Sequence, residues 1–231
     1  MNAMYPASAE QESPALLVDF IEEITRALKS LGGKKHNGLF DNYRFWSSKH
    51  LHRAAGGFVF LRRSGLADAS KFLIRPAIEI VLRLQAVKKH PDLLYRIAFS
   101  EHCQEKRFLR AAAEYSQQPY DDTHGKKRWK RFSDAFTAEF PNVPRVDKKL
   151  SIARTAEKAE MKPIYDGDYR IYCQYAHGAL RASIGGLDEA TDPHDNVAML
   201  LCASVALDTL VSLGAESPNR DRLFRRISQH S

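Results

Sequence analysis

The sequence predicts an all-α protein, a bundle of about seven to nine helices. Three observations lead there. Leu17, Phe20, Ile21, Ile24, Ala27, Leu28 and Leu31 recur every three or four residues, the spacing that gathers side chains on one helical face. The stretch VAMLLCASVALDTLVSL, residues 197–213, is apolar nearly all round, which suits a helix surrounded by others. Nowhere does the chain show the sustained apolar–polar alternation of half-buried strands, and no internal repeat is visible.

Each expected element follows from local signals. Residues 1–12 are small and polar and read as a flexible leader. Ser13-Pro14 supplies an N-cap with proline at the first helical position, and Gly32-Gly33 ends that helix. After the polar connector 34–42, helical spacing resumes near Tyr43 with Phe45, Trp46, Leu51, Ala55 and Phe58. Ser64-Gly65 breaks it. A helix over roughly 66–89 comes next, with Pro76 expected to kink it near residues 72–76. His90-Pro91-Asp92 stops and restarts the chain into a helix reaching about Tyr115. QQPYDDTHG (117–125) reads as a loop, and KKRWKRF (126–132) opens a basic amphipathic helix running to Phe140. A charge-rich helix is expected over 148–161, then one containing Tyr169 to Ser183 and closed by Gly185-Gly186, then the apolar helix from Asn196 to Leu213. The tail 216–231 reads as a short basic helix, so the expected organisation is a leader (1–12), one bundle domain (13–215) and this C-terminal helix.

Composition bounds the function. The chain has 231 residues, 44% hydrophobic and 27% charged, ample for a core without covalent staples. Its net charge of +7 and pI ≈ 9.3 favour an anionic partner, most simply nucleic acid, although charge alone supports only non-specific association. Cys103, Cys173 and Cys202 are far apart in apolar helical settings, without a CxxC pair, and read as thiols in a reducing cytosol. The N-terminus lacks the apolar core of a signal peptide. No uninterrupted apolar run approaches the roughly 18 residues of a membrane span. The expectation is a soluble, cytoplasmic protein with no membrane partner.

The chemistry-bearing residues concentrate in YRIYCQYAHGALRAS, residues 169–183. At about 100° per residue, seven positions return to nearly the same bearing, so Arg170 and His177 share a helical face. Gln174 lies between them and Arg181 one turn beyond, while Tyr169, Tyr172, Cys173 and Ala176 form the apolar arc. An imidazole titrating near neutrality and a guanidinium with a planar fork can together handle a phosphodiester. They can equally be a structural ion network. Arg75 and Glu79, at i and i+4 among Phe72, Leu73, Ile74, Ile78 and Ile80, read as a buried ion pair, with Arg83 the other, better-oriented cation that Glu79 can reach; Glu79 is alternatively an orienting carboxylate for His177 or Arg170. Lys126, Lys127, Arg128, Lys130 and Arg131 with Trp129 form a basic patch interleaved with an aromatic. Such a patch can hold a phosphate backbone while the indole stacks on a base, or be a solvated face with one docked aromatic. The histidines show no metal-ligand spacing, HExxH is absent, and neither a phosphate loop nor a nucleophile elbow is present, so no metal or cofactor is expected.

The Arg75…Glu79 helix, followed about 90 residues later by Tyr169-x-x-Tyr172…Ala176-His177-Gly178, resembles an uncharacterised bacterial all-helical family, a domain of unknown function, over about residues 40–215. Arg170…His177-Gly178 is also similar to the signature of HEPN ribonucleases, an Arg followed four to six residues later by His. That resemblance implies a helical dimer in which two motif helices meet in a cleft that cuts RNA without metal, often as a toxin or antiphage effector with an antitoxin or other protein partner. Here the residue after Arg170 is Ile171, where HEPN proteins often carry a polar group, and the spacing of six is the long end of their range. The expected site is Arg170 and His177, supported by Glu79 and Tyr172, with Arg181 and the 126–131 patch on RNA. A non-enzymatic helical scaffold and a non-catalytic RNA or DNA binder are the alternatives.

Overall fold

In a computed structural model, which describes residues 7–32, 38–176 and 188–228, with side chains from 14–32, 38–173 and 194–228, the chain is all-α. No strand occurs among the described residues. The helices are α1 (Ala7–Ser30), α2 (Leu39–Arg63), α3 (Ala67–Lys71), α4 (Ile74–Lys89), α5 (Leu93–Ser116) and α6 (Thr123–Glu139). They are followed by α7 (Ile152–Ala159), α8 (Lys162–Ile164), a π-helical turn (Tyr165–Tyr169), α9 (Arg170–Ala176), α10 (Asp188–Ser212) and α11 (Arg220–Ser228).

The chain divides into two compact units. One comprises residues 1–36, 41–81 and 162–231. Its centre is α1 packed along α10. The periodic face of α1 read from the sequence is the buried one: Leu17, Phe20, Ile24, Ala27 and Leu31 are all 2% exposed or less. From α10, Met199, Cys202, Ala203, Ala206, Leu207 and Leu210 are fully enclosed. The His194–Ser212 stretch is long and apolar enough to cross a membrane by length and composition, yet 78% of that window is buried inside the protein. Its apolar character is thereby accounted for as core. Near its C-terminal end the chain returns to α1, where Phe224 meets Phe20 edge to face at 5.6 Å.

The second unit comprises residues 37–40 and 82–161. Its core joins Leu82, Leu84, Val87, Leu94, Tyr95, Ile97, Phe136 and Ala156. The segment between α6 and α7 has no regular structure. Hydrogen bonds tie it to α5 instead: Tyr95 Oη donates to Asp147 at 3.0 Å, and the Leu150 amide to Ser100 Oγ at 3.0 Å.

Several boundaries differ from those expected, three of them with a clear physical reason. The first helix already runs from Ala7, so Pro14 lies inside it rather than opening it. The helix expected over 66–89 is two, separated by a turn at Phe72 and Leu73, and Pro76 becomes the third residue of α4. First-turn amides have no intrahelical acceptor, so proline there removes no hydrogen bond and no kink is needed. The 148–161 helix shortens to α7, where Ser151 Oγ caps the Arg154 amide at 3.2 Å and Glu160 ends it in the left-handed region.

Candidate functional site

The first unit assembles polar side chains around α9. A π-turn widens the helix just ahead of it, a distortion common at functional sites. Asp168 and Tyr169, the last residues of that turn, are both buried. The Asp168 carboxylate, 4% exposed, lies 2.5 Å from Nε2 of His194 in the first turns of α10. One turn beyond Tyr169, the Tyr172 hydroxyl donates to Asp195 Oδ1 at 2.6 Å, and Arg62 at the end of α2 approaches Asp195 Oδ2 at 3.3 Å. Asp195 has no exposed surface at all. A buried carboxylate is tolerated only when such donors replace its water. Burial pushes the Cys202 thiol up, and the charge of Asp168 adds to the effect, so this cysteine is held as an inert thiol.

Arg75 departs from the expected ion pair. Its guanidinium lies 5.8 Å from the centre of the Tyr169 ring, and the salt bridges found among the described residues do not include an Arg75–Glu79 pair. Interaction with the Tyr169 side chain is the main cause that raises the Arg75 pKa; the Glu79 charge is a lesser one. Burial in turn pushes the Tyr169 phenol up. The physical reason for the correction is the turn at 72–73: starting α4 afresh brings Arg75 to the aromatic of the π-turn, where cation–π attraction engages it.

The other expected residues are placed as follows. Arg170 opens α9, is exposed, and has no ion pair among the described residues. Tyr172 is 1% exposed and points into the core, so it cannot meet a macromolecular substrate directly. Glu79 is half-buried on α4. His177 and Arg181 lie outside the described residues.

The basic patch belongs to the second unit and is largely engaged. Trp129 stacks on His102 (centroids 5.1 Å, planes 10° apart) and on Phe132 (5.6 Å, 21°). Its faces are thus taken by neighbours, as in the docked-aromatic reading. Arg128 pairs with Glu105, Lys130 with Asp134 at 2.7 Å, and Lys126 approaches Asp122 at 3.9 Å. A cleft of about 380 Å³ beside Trp129 is lined by Glu101 and Glu105 as well as Arg128, a mixed rather than a basic wall. Lys127 and Arg131 stay exposed. No cluster of three or more His, Cys, Asp or Glu able to hold a metal occurs among the described residues.

Sequence reasoning missed His194, Asp195, Asp168 and Arg62. A signal existed: His-Asp-Asn immediately ahead of an apolar helix is a dense polar group at a buried helix start. A second cleft in the first unit, about 470 Å³, is lined by Phe58, Arg62, Arg63 and Asn196, next to the Asp195 network.

A family model described as "Family of unknown function (DUF5677)" matches residues 48–193, from within α2 to the first residues of α10. No curated protein and no solved structure matches the chain.

Proposed function

The chain belongs to the family of unknown function DUF5677, and from that premise we propose that it is a metal-independent endoribonuclease of HEPN-like type working through Arg170 and His177. The observation that carries the reading is the state of Arg170. It is an exposed cation at the head of α9 with no ion pair among the described residues, while Arg62 and Arg75 on α2 and α4 are engaged with Asp195 and Tyr169. An exposed guanidinium at that position is what a phosphate-binding helix requires.

In this mechanism His177 removes the proton from the ribose 2′-hydroxyl. The 2′-oxygen forms a bond to phosphorus as the bond to the 5′-oxygen breaks, and that leaving oxygen takes up a proton. Arg170 offsets the negative charge that builds on the phosphoryl oxygens. Tyr172 becomes a positioning residue, holding α9 through Asp195. Toxin or antiphage roles, an antitoxin partner and a cytoplasmic setting are part of the same proposal.

The test is cleavage of labelled RNA in EDTA by wild type, Arg170→Ala, His177→Ala and His194→Ala. The proposal expects cleavage by wild type, loss of at least about a hundredfold in the first two variants, and unchanged thermal unfolding for Arg170→Ala. The buried Tyr172–Asp195–Arg62 network favours a second reading, a non-enzymatic helical scaffold. Under that reading wild type leaves RNA intact. Loss in His194→Ala alone would move the proton transfer to the His194–Asp168 pair and overturn the assignment to His177.

A further inference from the structure

The C-terminal half of α5 carries a face that the protein leaves uncovered. Phe108 is 71% exposed and Tyr115 94% exposed. With Gln104 and Ala111 they fall on one stripe at spacings of three and four residues, and all four are exposed. On the opposite side of the same helix Lys106 is held to its own unit by Asp122 at 3.2 Å, and on one flank of the stripe Glu105 is held by Arg128. Two aromatics so open on one face are unusual for a surface that remains in water.

From this face and the charges beside it, we infer that α5 pairs antiparallel with α5 of a second copy of this chain. Written as a heptad, Phe108 and Tyr115 take a positions and Gln104 and Ala111 take d positions. Arg107 and Glu114 then both take g positions along one edge. In an antiparallel pair an a residue meets a d residue of the other helix, so Phe108 packs over the small Ala111 of the second copy, and Tyr115 over its Gln104. The same register sets g against g, which brings Arg107 to Glu114 of the second copy and Glu114 to its Arg107. Large meets small and positive meets negative in one alignment, and the arrangement is its own mirror under a two-fold axis, as an isologous dimer demands. Neither Arg107 nor Glu114 has an ion pair within its own chain among the described residues. The pairing uses none of the residues proposed for RNA cleavage and stands independently of that function.

The experiment is sedimentation equilibrium of the full chain at low salt, for wild type, Arg107→Glu, Glu114→Arg, the two changes combined, and Phe108→Asp. Wild type is expected to dimerise. Each single reversal places two like-charge pairs in the interface and weakens the dimer roughly tenfold. The combined reversal returns it to near wild-type strength, and Phe108→Asp gives monomer. Circular dichroism should stay unchanged throughout, since every altered side chain is exposed. A wild type that stays monomeric, including one whose aromatic face serves a different protein, overturns the inference. So does a dimer indifferent to the single reversals, or a combined variant no better than either single one.

Discussion

At the scale of single residues, Asp195 decides more than any other polar group in the first unit. It is fully buried, and its two oxygens face Tyr172 from α9 and Arg62 from α2. Removing a carboxylate so placed strands a phenol and takes away one counter-charge from a sheltered guanidinium. Asp195→Ala is therefore expected to lower unfolding free energy by about 3 kcal/mol or more. Tyr172→Phe, which deletes one donor and keeps the ring, should lower it by about 1–2 kcal/mol. Arg170→Ala, on an exposed side chain without an ion pair among the described residues, should stay within about 0.5 kcal/mol of wild type. Urea titrations of the three variants check this ordering, and a large loss for Arg170→Ala would show that it, too, is structural.

At the scale of elements, α1 shows how one buried acid fastens a distant segment. Glu23 is 1% exposed on an otherwise apolar helix face. It accepts from Ser217 Oγ at 2.8 Å, from the Asn219 amide at 3.1 Å and from Asn219 Nδ2 at 3.0 Å, and pairs with Arg26. Burial by itself would raise its pKa, but the donors from Asn219 and Ser217 and the charge of Arg26 outweigh it, and the carboxyl titrates below its usual value. A carboxylate with a depressed folded-state pKa contributes stability that is complete above its ordinary value of 4.5 and is lost as pH falls through the folded-state value. Glu23→Gln should thus be less stable than wild type near neutrality, with the gap narrowing as pH falls from about 5 toward 3. Denaturation midpoints measured across that range decide it; a gap that is constant with pH would show the loss to be one of packing. The same helix was legible from its periodicity, whereas the role of Glu23 was not, because its donors Ser217 and Asn219 lie nearly two hundred residues further along the chain. The break at 72–73 was legible only as a kink expected from Pro76, for the converse reason. Its local pattern is continuous, and the proline that marks the break sits after it, where an N-terminal turn accepts it.

At the scale of the whole molecule, the surplus of positive charge predicts how the proposed association with RNA responds to salt. With 35 Lys and Arg against 28 Asp and Glu, net +7, association should weaken steeply with salt. Each phosphate neutralised contributes a slope of about −0.7 in log K against log salt for single strands. Filter binding of a labelled RNA across a salt series measures that slope, and binding indifferent to salt would remove the electrostatic basis for an RNA partner. The patch at 126–131 should account for only part of the slope, since Arg128 and Lys130 are already paired with acids and Lys126 approaches one.

By itself the sequence determined the all-α class, the buried face of α1, the interior position of α10 and the basic surplus. All of these depend on local periodicity or on summed composition, which survive without knowing where any helix lies. Only the tertiary structure decided which polar groups meet. Arg75 lies against Tyr169 rather than Glu79, Tyr172 is locked to Asp195, and Asp168 holds His194. A repeating pattern states which side of a helix leaves water, but a buried polar atom must find its partner wherever the packing of remote helices delivers one.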